Sequence, residues 1–493
     1  MRLKISGYEF LLALVTMAVP GLSFSQELLY SPPQRVTAGY AKVEILGKNS
    51  QGILVREIGR SDDQIAAYYD NLQIRWKKST PHKEKNARVE QIVVYEDSLI
   101  IFYSVVLKNI TLLKAFKTNS RLESRPLAVI CDTINHSLVN ATSPVHFEFT
   151  SDKNKILLYY EDAAFRSNKI LKLTCFDAGL HRLWQTALRI KTMHEPNIIE
   201  AVLDDRGEAC VVVGENTIKN FRNDFLYSEL HVFKINSDGS EVNETIFEER
   251  DKFLGTCKAR LDAQSGNILL AGLYADSPGA ESDGVYFFLL KSDNSIVQKS
   301  FEPYSQEFLT ELTGNNPPRR SDGFFDFKPK ELIVKRDGGA ILVAESETVS
   351  SESFTTSNYG AFGISSGFTV NYYHYDDIAV FSFQHDGKLE WKQILHKKQA
   401  TEGDGGYYSS FVTMIAPTSL HFIYNDVSNG QTNVAGYTID PSGNQQRSEL
   451  LNADRKGVML IPRSAKQISP NELIMPSLKR NYLQFVKISF NTP

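Results

Sequence analysis

The sequence predicts an all-β fold, on three observations. The chain of 493 residues is 11% aromatic, with 22 Tyr and 29 Phe against 6 Met, a composition that favours strands. Its apolar runs are short, alternate with polar residues and are bounded by Gly, Asp, Asn and Ser turns. No segment keeps a helical apolar stripe over the roughly 12 residues that a stable helix needs.

One sequence pattern recurs along the chain. A turn residue precedes an apolar strand, then come a polar gap, a second apolar strand, another turn and a more polar strand. These eight repeats lie roughly 60 residues apart and begin near Gly52, Ser98, Lys155, Glu208, Asn267, Gly339, Ser419 and Asn471. With the strand that precedes each of them, they predict four strands per unit. Repetition of this kind is typical of sheets arranged in a ring or a stack.

The three tryptophans occupy the same place in their units. Trp76, Trp184 and Trp391 each end a short strand that follows a turn. An aromatic residue in an equivalent slot indicates packing between neighbouring sheets.

The two ends of the chain predict how the repeat closes. The last unit has three strands before the chain stops at Pro493, which would leave an exposed sheet edge. The segment from Leu28 to Val36 precedes the first unit and is the natural donor of the missing strand. We therefore predict an eight-bladed β-propeller with four-stranded blades, closed by an N-terminal strand. Seven blades remain possible if 38–78 is not a complete blade, and an open solenoid is the weaker rival.

Charge and hydrophobicity exclude two classes of protein. Lys and Arg total 54 against 58 Asp and Glu, a net charge of −4, so no basic surface for nucleic acid is expected. The chain is 42% hydrophobic, which excludes intrinsic disorder.

The N-terminus predicts export. Arg2 and Lys4 precede the apolar run 10–19, and small residues come before a cleavage point at Gln26, so 1–25 is interpreted as a signal peptide. No later stretch is long and apolar enough to span a bilayer. Residues 26–493 are therefore expected to form a single propeller domain in the periplasm or outside the cell, with no transmembrane segment after cleavage.

The four cysteines each lie in or beside a strand-like apolar run: Cys131, Cys175, Cys210 and Cys257. In an exported chain they could form disulfides, but buried free thiols are the favoured interpretation. There is no CxxC pair, and neither a metal site nor a cofactor is expected.

Loop lengths predict a binding face. Turns between the first and second strands and between the third and fourth strands of each unit are tight, whereas the loops on the opposite rim are long. Two rim insertions stand out, at 304–327 and at 346–377, the second interpreted as a Tyr-rich loop. Aromatic and charged residues there are typical of binding surfaces. The candidate binding residues are Arg319, Arg320, Tyr359, Tyr372, Tyr373, Tyr375, Asp376 and Asp404.

No catalytic motif accompanies these insertions: the sequence has no HExxH, no P-loop and no GxGxxG. The first hypothesis is a non-enzymatic binding or scaffold propeller that holds a protein, peptide or glycan on its long-loop face. The alternative is a hydrolase or lyase acting on carbohydrate or peptide in the central channel. Convergent carboxylates or a metal-ligand set at the channel would favour the enzyme.

One part of the chain resembles a known group of proteins. The stretches 372–380 (YYHYDDIAV), 386–391 (DGKLEW), 397–399 and 408–411, with 422–426 (FIYND), are similar to exported β-propeller-like proteins of Bacteroidota, a group with no known activity or ligand. The resemblance implies a bacterial periplasmic or secreted propeller. The DGKLEW turn also resembles the Trp-bearing turns of quinoprotein and outer-membrane assembly propellers, but the sequence has no adjacent-cysteine pair for a quinone cofactor.

Overall fold

A computed structural model describes residues 26–490 except 37–41, 60–62, 82–83, 85, 125–126, 136–143, 166–167, 193, 195, 216–217, 220–224, 278–281, 315–326, 358–364 and 429–430. The expected signal peptide 1–25 lies outside the described residues. Among those that are described, no helix has the length and apolar character needed to cross a membrane.

Eight antiparallel sheets, here called blades 1 to 8, follow one another along the chain. Blade 1 contains β3 (Lys42–Asn49), β4 (Gly52–Ile58), β5 (Gln64–Tyr68) and β6 (Ile74–Ser79). Blade 2 contains β7 (Ala87–Val94), β8 (Ser98–Val106), β9 (Ile110–Asn119) and β10 (Val129–Asn135). Blade 3 contains β11 (His146–Phe149), β12 (Lys155–Phe165), β13 (Asn168–Asp177) and β14 (Arg182–Lys191). Blade 4 contains β15 (Asn197–Leu203), β16 (Ala209–Glu215), β19 (Glu229–Ile235) and β20 (Val242–Glu248).

The second half repeats this arrangement. Blade 5 contains β21 (Phe253–Leu261), β22 (Ile268–Ala275), β23 (Gly284–Leu290) and β24 (Ile296–Pro303). Blade 6 contains β25 (Phe327–Val334), β26 (Ala340–Ser357), β27 (Ser365–Phe383) and β28 (Leu389–Leu395). Blade 7 contains β30 (Phe411–Ala416), β31 (Ser419–Ser428), β32 (Gln431–Ile439) and β33 (Gln445–Asn452). Blade 8 contains β34 (Lys466–Ser469), β35 (Glu472–Lys479), β36 (Tyr482–Phe490) and β1 (Gln26–Tyr30).

Short elements complete the chain. They are β2 (Gln34–Arg35), β17 (Ile218–Lys219), β18 (Phe225–Leu226), β29 (Ala400–Glu402), helix α1 (Gln306–Thr313), helix α2 (Ala453–Lys456) and a 3-10 turn (Pro462–Ser464). Helix α1 lies in the insertion 304–327, where Ser305 caps its N-terminus and Phe308 is buried between blades 5 and 6.

The predicted eight-bladed propeller, closed by the N-terminal strand, is confirmed. β1 pairs antiparallel with β36, Leu28 lying opposite Ile488, and thereby supplies the outer strand of blade 8. Each predicted repeat start falls within a residue of the second strand of a blade. First strands of neighbouring blades, such as β3 with β34 and β15 with β21, lie against one another and line the central axis.

Apolar layers hold the blades together. The buried side chains form eight clusters, one at each of the eight boundaries between neighbouring blades. The layer between blades 8 and 1 joins Ile53 and Tyr68 to Ile474 and Phe485, so the ring closes through packing as well as pairing. All four cysteines are buried free thiols, in agreement with the favoured interpretation.

The tryptophans lie between blades, as expected. Trp184 Nε1 donates to the Gly207 carbonyl, 3.1 Å away in a turn of blade 4, and Trp391 Nε1 donates to the Pro441 carbonyl, 3.2 Å away in a turn of blade 7. Trp76 packs against the layer between blades 1 and 2.

Candidate functional site

The insertion 346–377 is mostly strand, which corrects its interpretation as a loop. β26 and β27 continue beyond the blade as a two-stranded ribbon, paired from Glu347 with Tyr375 to Ser357 with Ser365. Ser and Gly made this segment look like a loop, but its Thr, Val, Tyr and Phe residues are strong strand formers. We call 347–357 and 365–375 the ribbon.

One long edge of the ribbon has no partner among the described strands. β25 pairs with β26 only as far as Phe327 opposite Ser346. From Glu347 to Ser357, no described strand pairs with the outer edge of β26. The other strand of the ribbon is covered near its base, because β29 pairs with β27 from Tyr372 to His374. An open edge presents unpaired backbone N–H and C=O groups to another chain.

The described ribbon side chains mix apolar and hydroxyl groups. Val349 is 55% exposed and Phe368 is 58% exposed. Ser351 Oγ donates to Asn371 Oδ1 at 2.7 Å, a contact that joins the two strands of the ribbon. Of the predicted binding residues, Tyr372 and Tyr373 are neighbours on β27, so their side chains point to opposite faces, and both are half-buried.

A buried ion pair anchors the base of the ribbon. Lys397 Nζ is 2.8 Å from Glu345 Oε1, and neither side chain is exposed to solvent. Glu345 also accepts from Ser410 Oγ at 2.6 Å, and Lys397 donates to the Tyr375 carbonyl at 2.8 Å. Burial lowers the pKa of Lys397, and the neighbouring Glu345 opposes that shift. The pair ties the segment after β28 to blade 6.

Tyr375 does not belong to the exposed surface that the sequence analysis proposed. It is buried, its hydroxyl donates to Glu347 Oε1 at 3.1 Å, and the guanidinium of Arg463 lies 4.4 Å from its ring centroid. A Cβ at Gly406 would come within 2.6 Å of the Tyr375 ring, so the adjoining turn packs directly on it. Tyr375 lies at the base of the ribbon, where neighbouring segments cover it, and its aromatic character alone could not reveal this.

Asp376 lies in a cavity of about 630 Å³ between blades 6 and 7. The ionisable acidic and basic side chains of this cavity are Asp376, Asp377, His396, Lys397, Lys398, Asp426 and Arg447. Arg447 pairs with Asp426 at 2.7 Å, and His396 Nδ1 is 3.4 Å from Asp377 Oδ1. Burial raises the pKa of Asp377. Because acidic and basic side chains both line the cavity, it can accommodate either an anionic or a cationic group.

Asp404 shapes a turn. Its Oδ1 accepts from the backbone N–H of Gly406 at 2.8 Å, and Gly403, Gly405 and Gly406 all adopt positive φ. The remaining predicted binding residues, Arg319, Arg320 and Tyr359, lie outside the described residues.

A larger cavity lies on the opposite face, at the tight turns. Its volume is about 1,050 Å³, and its walls include Trp391, Ile415 and Leu420 together with Lys335 and Glu390. Loop length alone therefore did not predict where the concave surfaces of the propeller occur.

The central channel holds carboxylates that the sequence analysis did not single out. Glu200 on β15 reaches the next blade, where its Oε1 is 3.3 Å from both Lys258 Nζ and Arg260 Nη1. Burial raises the pKa of Glu148 on β11 to about 7, and the negative charge of Glu200 adds to that shift. A carboxyl group with a raised pKa beside a second carboxyl group is an arrangement suited to acid–base chemistry.

Two aromatic residues accompany these carboxylates. Tyr159 stacks on His146 with ring centroids 5.1 Å apart, and its pKa is raised by burial and by the charges of Glu148 and Glu200. A single acidic residue inside several otherwise apolar first strands, as in NIIEAVL, was the available sequence signal. The packing of β11 against β15 in the next blade brings these residues together although they are distant in sequence.

Comparisons with known proteins leave the family open. The sequence matches no protein-family model and no curated protein sequence. The WD40 domain of SCAP from fission yeast is similar over 95% of this chain and 95% of its own, with 8% identity and a TM-score of 0.38. An ulvan lyase is similar over 80% of this chain and 90% of its own, with 10% identity and a TM-score of 0.38.

A third similarity is partial. A puromycin hydrolase is similar over 80% of this chain but only 52% of its own, with 11% identity and a TM-score of 0.37, so this chain spans about half the length of that enzyme. The propeller assignment rests on the strand pairing and the blade boundaries described above.

Proposed function

We propose that this protein is an exported binding or scaffold propeller that holds an extended segment of a partner protein along the open edge of β26. The observation that carries the proposal is the ribbon register: Glu347 to Ser357 pair with β27 on one side and with no described strand on the other. Strand addition to such an edge gains affinity from main-chain hydrogen bonds and specificity from alternate side chains.

The ribbon offers what strand addition requires. Its base is fixed by the buried Glu345–Lys397 pair, so the edge is presented by a rigid blade. Val349 is exposed on β26 itself and offers an apolar contact to a partner side chain. Export to the periplasm or beyond, through cleavage before Gln26, is part of the proposal. Cleavage at that point is compatible with the fold, since it would leave the closing strand β1 (Gln26–Tyr30) intact. The resemblance to exported propellers of Bacteroidota supports the same location.

A peptide library tests the proposal. Random phage-displayed peptides are selected on the full chain and measured against a variant in which 350–373 are replaced by a short turn. The selected peptides are expected to lose at least 10-fold in affinity for this variant, while its thermal melt remains cooperative because blade 6 keeps its core pairing. In the peptide, N-methylation at every second residue should weaken binding, since only alternate N–H groups face the edge.

Controls separate the ribbon from the other face. Ile415→Lys, in the cavity at the tight turns, is expected to bind the same peptides with unchanged affinity. Equal binding to the ribbon-deleted variant, loss of binding in Ile415→Lys, or an N-methylation scan without a period of two would each contradict strand addition. The cleavage site is tested by the mass of the exported protein, which should correspond to a chain beginning at Gln26.

A second candidate function is that of a hydrolase or lyase acting on carbohydrate or peptide in the channel. One observation favours it. Glu148 and Glu200 converge there, one with a raised pKa and one held by Lys258 and Arg260. In hydrolysis, Glu148 would give its proton to the leaving group, and Glu200 would accept a proton from the attacking water. Activity on a panel of polysaccharides and peptides, lost in both Glu148→Gln and Glu200→Gln but kept in Glu472→Gln, would support the enzyme. Absence of turnover, or activity unchanged in both channel variants, would count against it.

A further inference from the structure

Blade 4 carries a cluster of ligand-type side chains where its two middle strands end. Glu215 is the last residue of β16 and lies opposite Glu229, the first residue of β19, and His231 follows two residues later. Strand alternation therefore directs all three side chains to one face of the sheet. His231 and Glu215 have 7% and 6% of their side chains exposed, and Glu229 has 27%.

The distances within the cluster match a metal coordination sphere. His231 Nε2 is 3.1 Å from Glu215 Oε2 and 3.5 Å from Glu229 Oε2. In a tetrahedral site with metal–ligand bonds of about 2.0–2.1 Å, neighbouring ligand atoms are about 3.3 Å apart. One atom from each of the three side chains lies within 4.8 Å of the others, so a single ion could contact all of them.

A fourth residue orients the imidazole. His231 Nδ1 is 2.7 Å from Glu244 Oε1 on β20, which places the Nδ1 proton against that carboxylate. The opposite nitrogen, Nε2, is buried and makes no hydrogen bond to any residue that the structure describes. A carboxylate that fixes the remote nitrogen of a histidine is the usual second partner of a metal-binding imidazole.

One ion bound at this nitrogen would also reach both carboxylates. Glu215 Oε2 and Glu229 Oε2 both lie within 3.5 Å of His231 Nε2.

We propose that Glu215, Glu229 and His231 form a binding site for Zn²⁺, with Glu244 holding His231 in position. One imidazole and two carboxylates suit zinc, whereas Ca²⁺ and Mg²⁺ prefer sites made of oxygen alone. The lack of a CxxC pair predicted no metal site, but this cluster contains no cysteine. The available signal was Glu229-Leu230-His231, in which two ligand types alternate on one strand. Three protein ligands leave a fourth position on zinc, and the partly exposed Glu229 places that position near solvent.

Metal binding to the full chain, purified without an affinity tag and freed of metal by a chelator, tests the site. Titration calorimetry and elemental analysis should give one Zn²⁺ per chain, with little binding of Ca²⁺ at the same concentration. Binding should raise Tm, because the folded state alone assembles the three ligands. Glu229→Gln and His231→Gln should each weaken zinc binding at least 100-fold, and Glu244→Gln roughly 10-fold.

Matched controls make the result decisive. His181 also lies beside a carboxylate, 3.0 Å from Asp177, but in an exposed turn, so His181→Gln should leave zinc binding unchanged. If His231→Gln does not fold, the half-buried Glu229→Gln decides. X-ray absorption should show nitrogen and oxygen ligands near 2.0 Å and no sulfur. No stoichiometric zinc, binding unchanged in both cluster variants, sulfur ligation by a buried cysteine, or equal affinity for Ca²⁺ would each overturn the proposal.

Discussion

The hydroxyl of Ser31 accepts a hydrogen bond from the backbone N–H of Phe485, 2.9 Å away and 454 residues along the chain. Ser31 is buried, and its own carbonyl accepts from Gln484 Nε2 at 2.6 Å. These contacts follow directly after β1 and fasten the end of that strand to β36. The start of the described chain is therefore part of the core of blade 8.

Removing this fastening should destabilise the whole ring. In Ser31→Ala, the Phe485 N–H loses its buried acceptor, and an unsatisfied buried donor costs about 1–3 kcal/mol. Deleting 26–36 should cost more, because it also removes the apolar packing of Leu28 and exposes the edge of β36. Thermal melts followed by circular dichroism measure both effects.

The control for this prediction is Ser442→Ala, in an exposed turn of blade 7. Its Tm should match that of the wild type. A deletion of 26–36 with the wild-type Tm would mean that β1 does not close the propeller in solution.

The buried pair at the base of the ribbon gives a second prediction. Lys397→Met leaves Glu345 charged and fully buried, and breaking such a pair typically costs about 3–5 kcal/mol. The double variant Glu345→Met with Lys397→Met should recover part of that loss, because no charge remains buried. Chemical denaturation of the wild type, Lys397→Met and the double variant measures the loss of stability and its recovery.

The control is Lys388→Met, which breaks an exposed pair with Asp386 and should change stability by less than about 0.5 kcal/mol. Single and double variants of equal stability would contradict the predicted recovery.

His421 should make the protein sensitive to acid. Its ring lies 4.1 Å from that of Phe490, and burial lowers its pKa to about 4. The unfolded chain takes up the proton first, so this contribution to stability is complete above about pH 6.5 and is lost as the pH falls towards 4. In His421→Gln the free energy of unfolding should fall by about 2–3 kcal/mol less than in the wild type between pH 7 and pH 4. Denaturant titrations across that range measure the difference.

The exposed His385, in a turn of blade 6, provides the comparison for this pH effect. His385→Gln should follow the wild-type pH curve. Parallel curves for His421→Gln and the wild type would show that the buried imidazole does not control acid sensitivity.

The architecture could be predicted from the sequence because each blade is built from strands and turns that are consecutive in the chain. Each second strand, such as Gly52–Ile58 or Ser419–Ser428, is an apolar run bounded by turn residues, and the pattern repeats. The closing strand was also predictable, since three strands after the last turn leave an edge that must be covered. Trp184 and Trp391 showed how the repeats align with one another, because each lies at the same position in its unit. There, each donates a hydrogen bond to a carbonyl of the next blade.

The sites were less accessible because they depend on side-chain direction and on contacts between blades. Tyr375 and Tyr373 look equivalent in sequence, but the first packs under Arg463 and the second is only half-buried. Glu148 and Glu200 lie on different blades, and nothing in either segment indicates that the other is near. In the ribbon, hydroxyl-rich strands resemble a loop until their pairing is known.

Glu148 should oppose His421 in its effect on stability with pH. Its raised pKa of about 7 means that the folded protein holds a proton that the unfolded chain releases near pH 4.5. Stability from this group is therefore complete below about pH 4.5 and is lost as the pH rises towards 7. In Glu148→Gln this loss is absent, so the stability of the variant relative to the wild type should increase by on the order of 1 kcal/mol between pH 4.5 and pH 8, after allowance for solvent in the channel. Thermal melts across this range measure the change, with Glu472→Gln as the matched carboxylate outside the channel. If the difference in stability between each variant and the wild type does not change with pH, Glu148 is ionised across this range. The acid–base role proposed for the channel would then lose its proton donor.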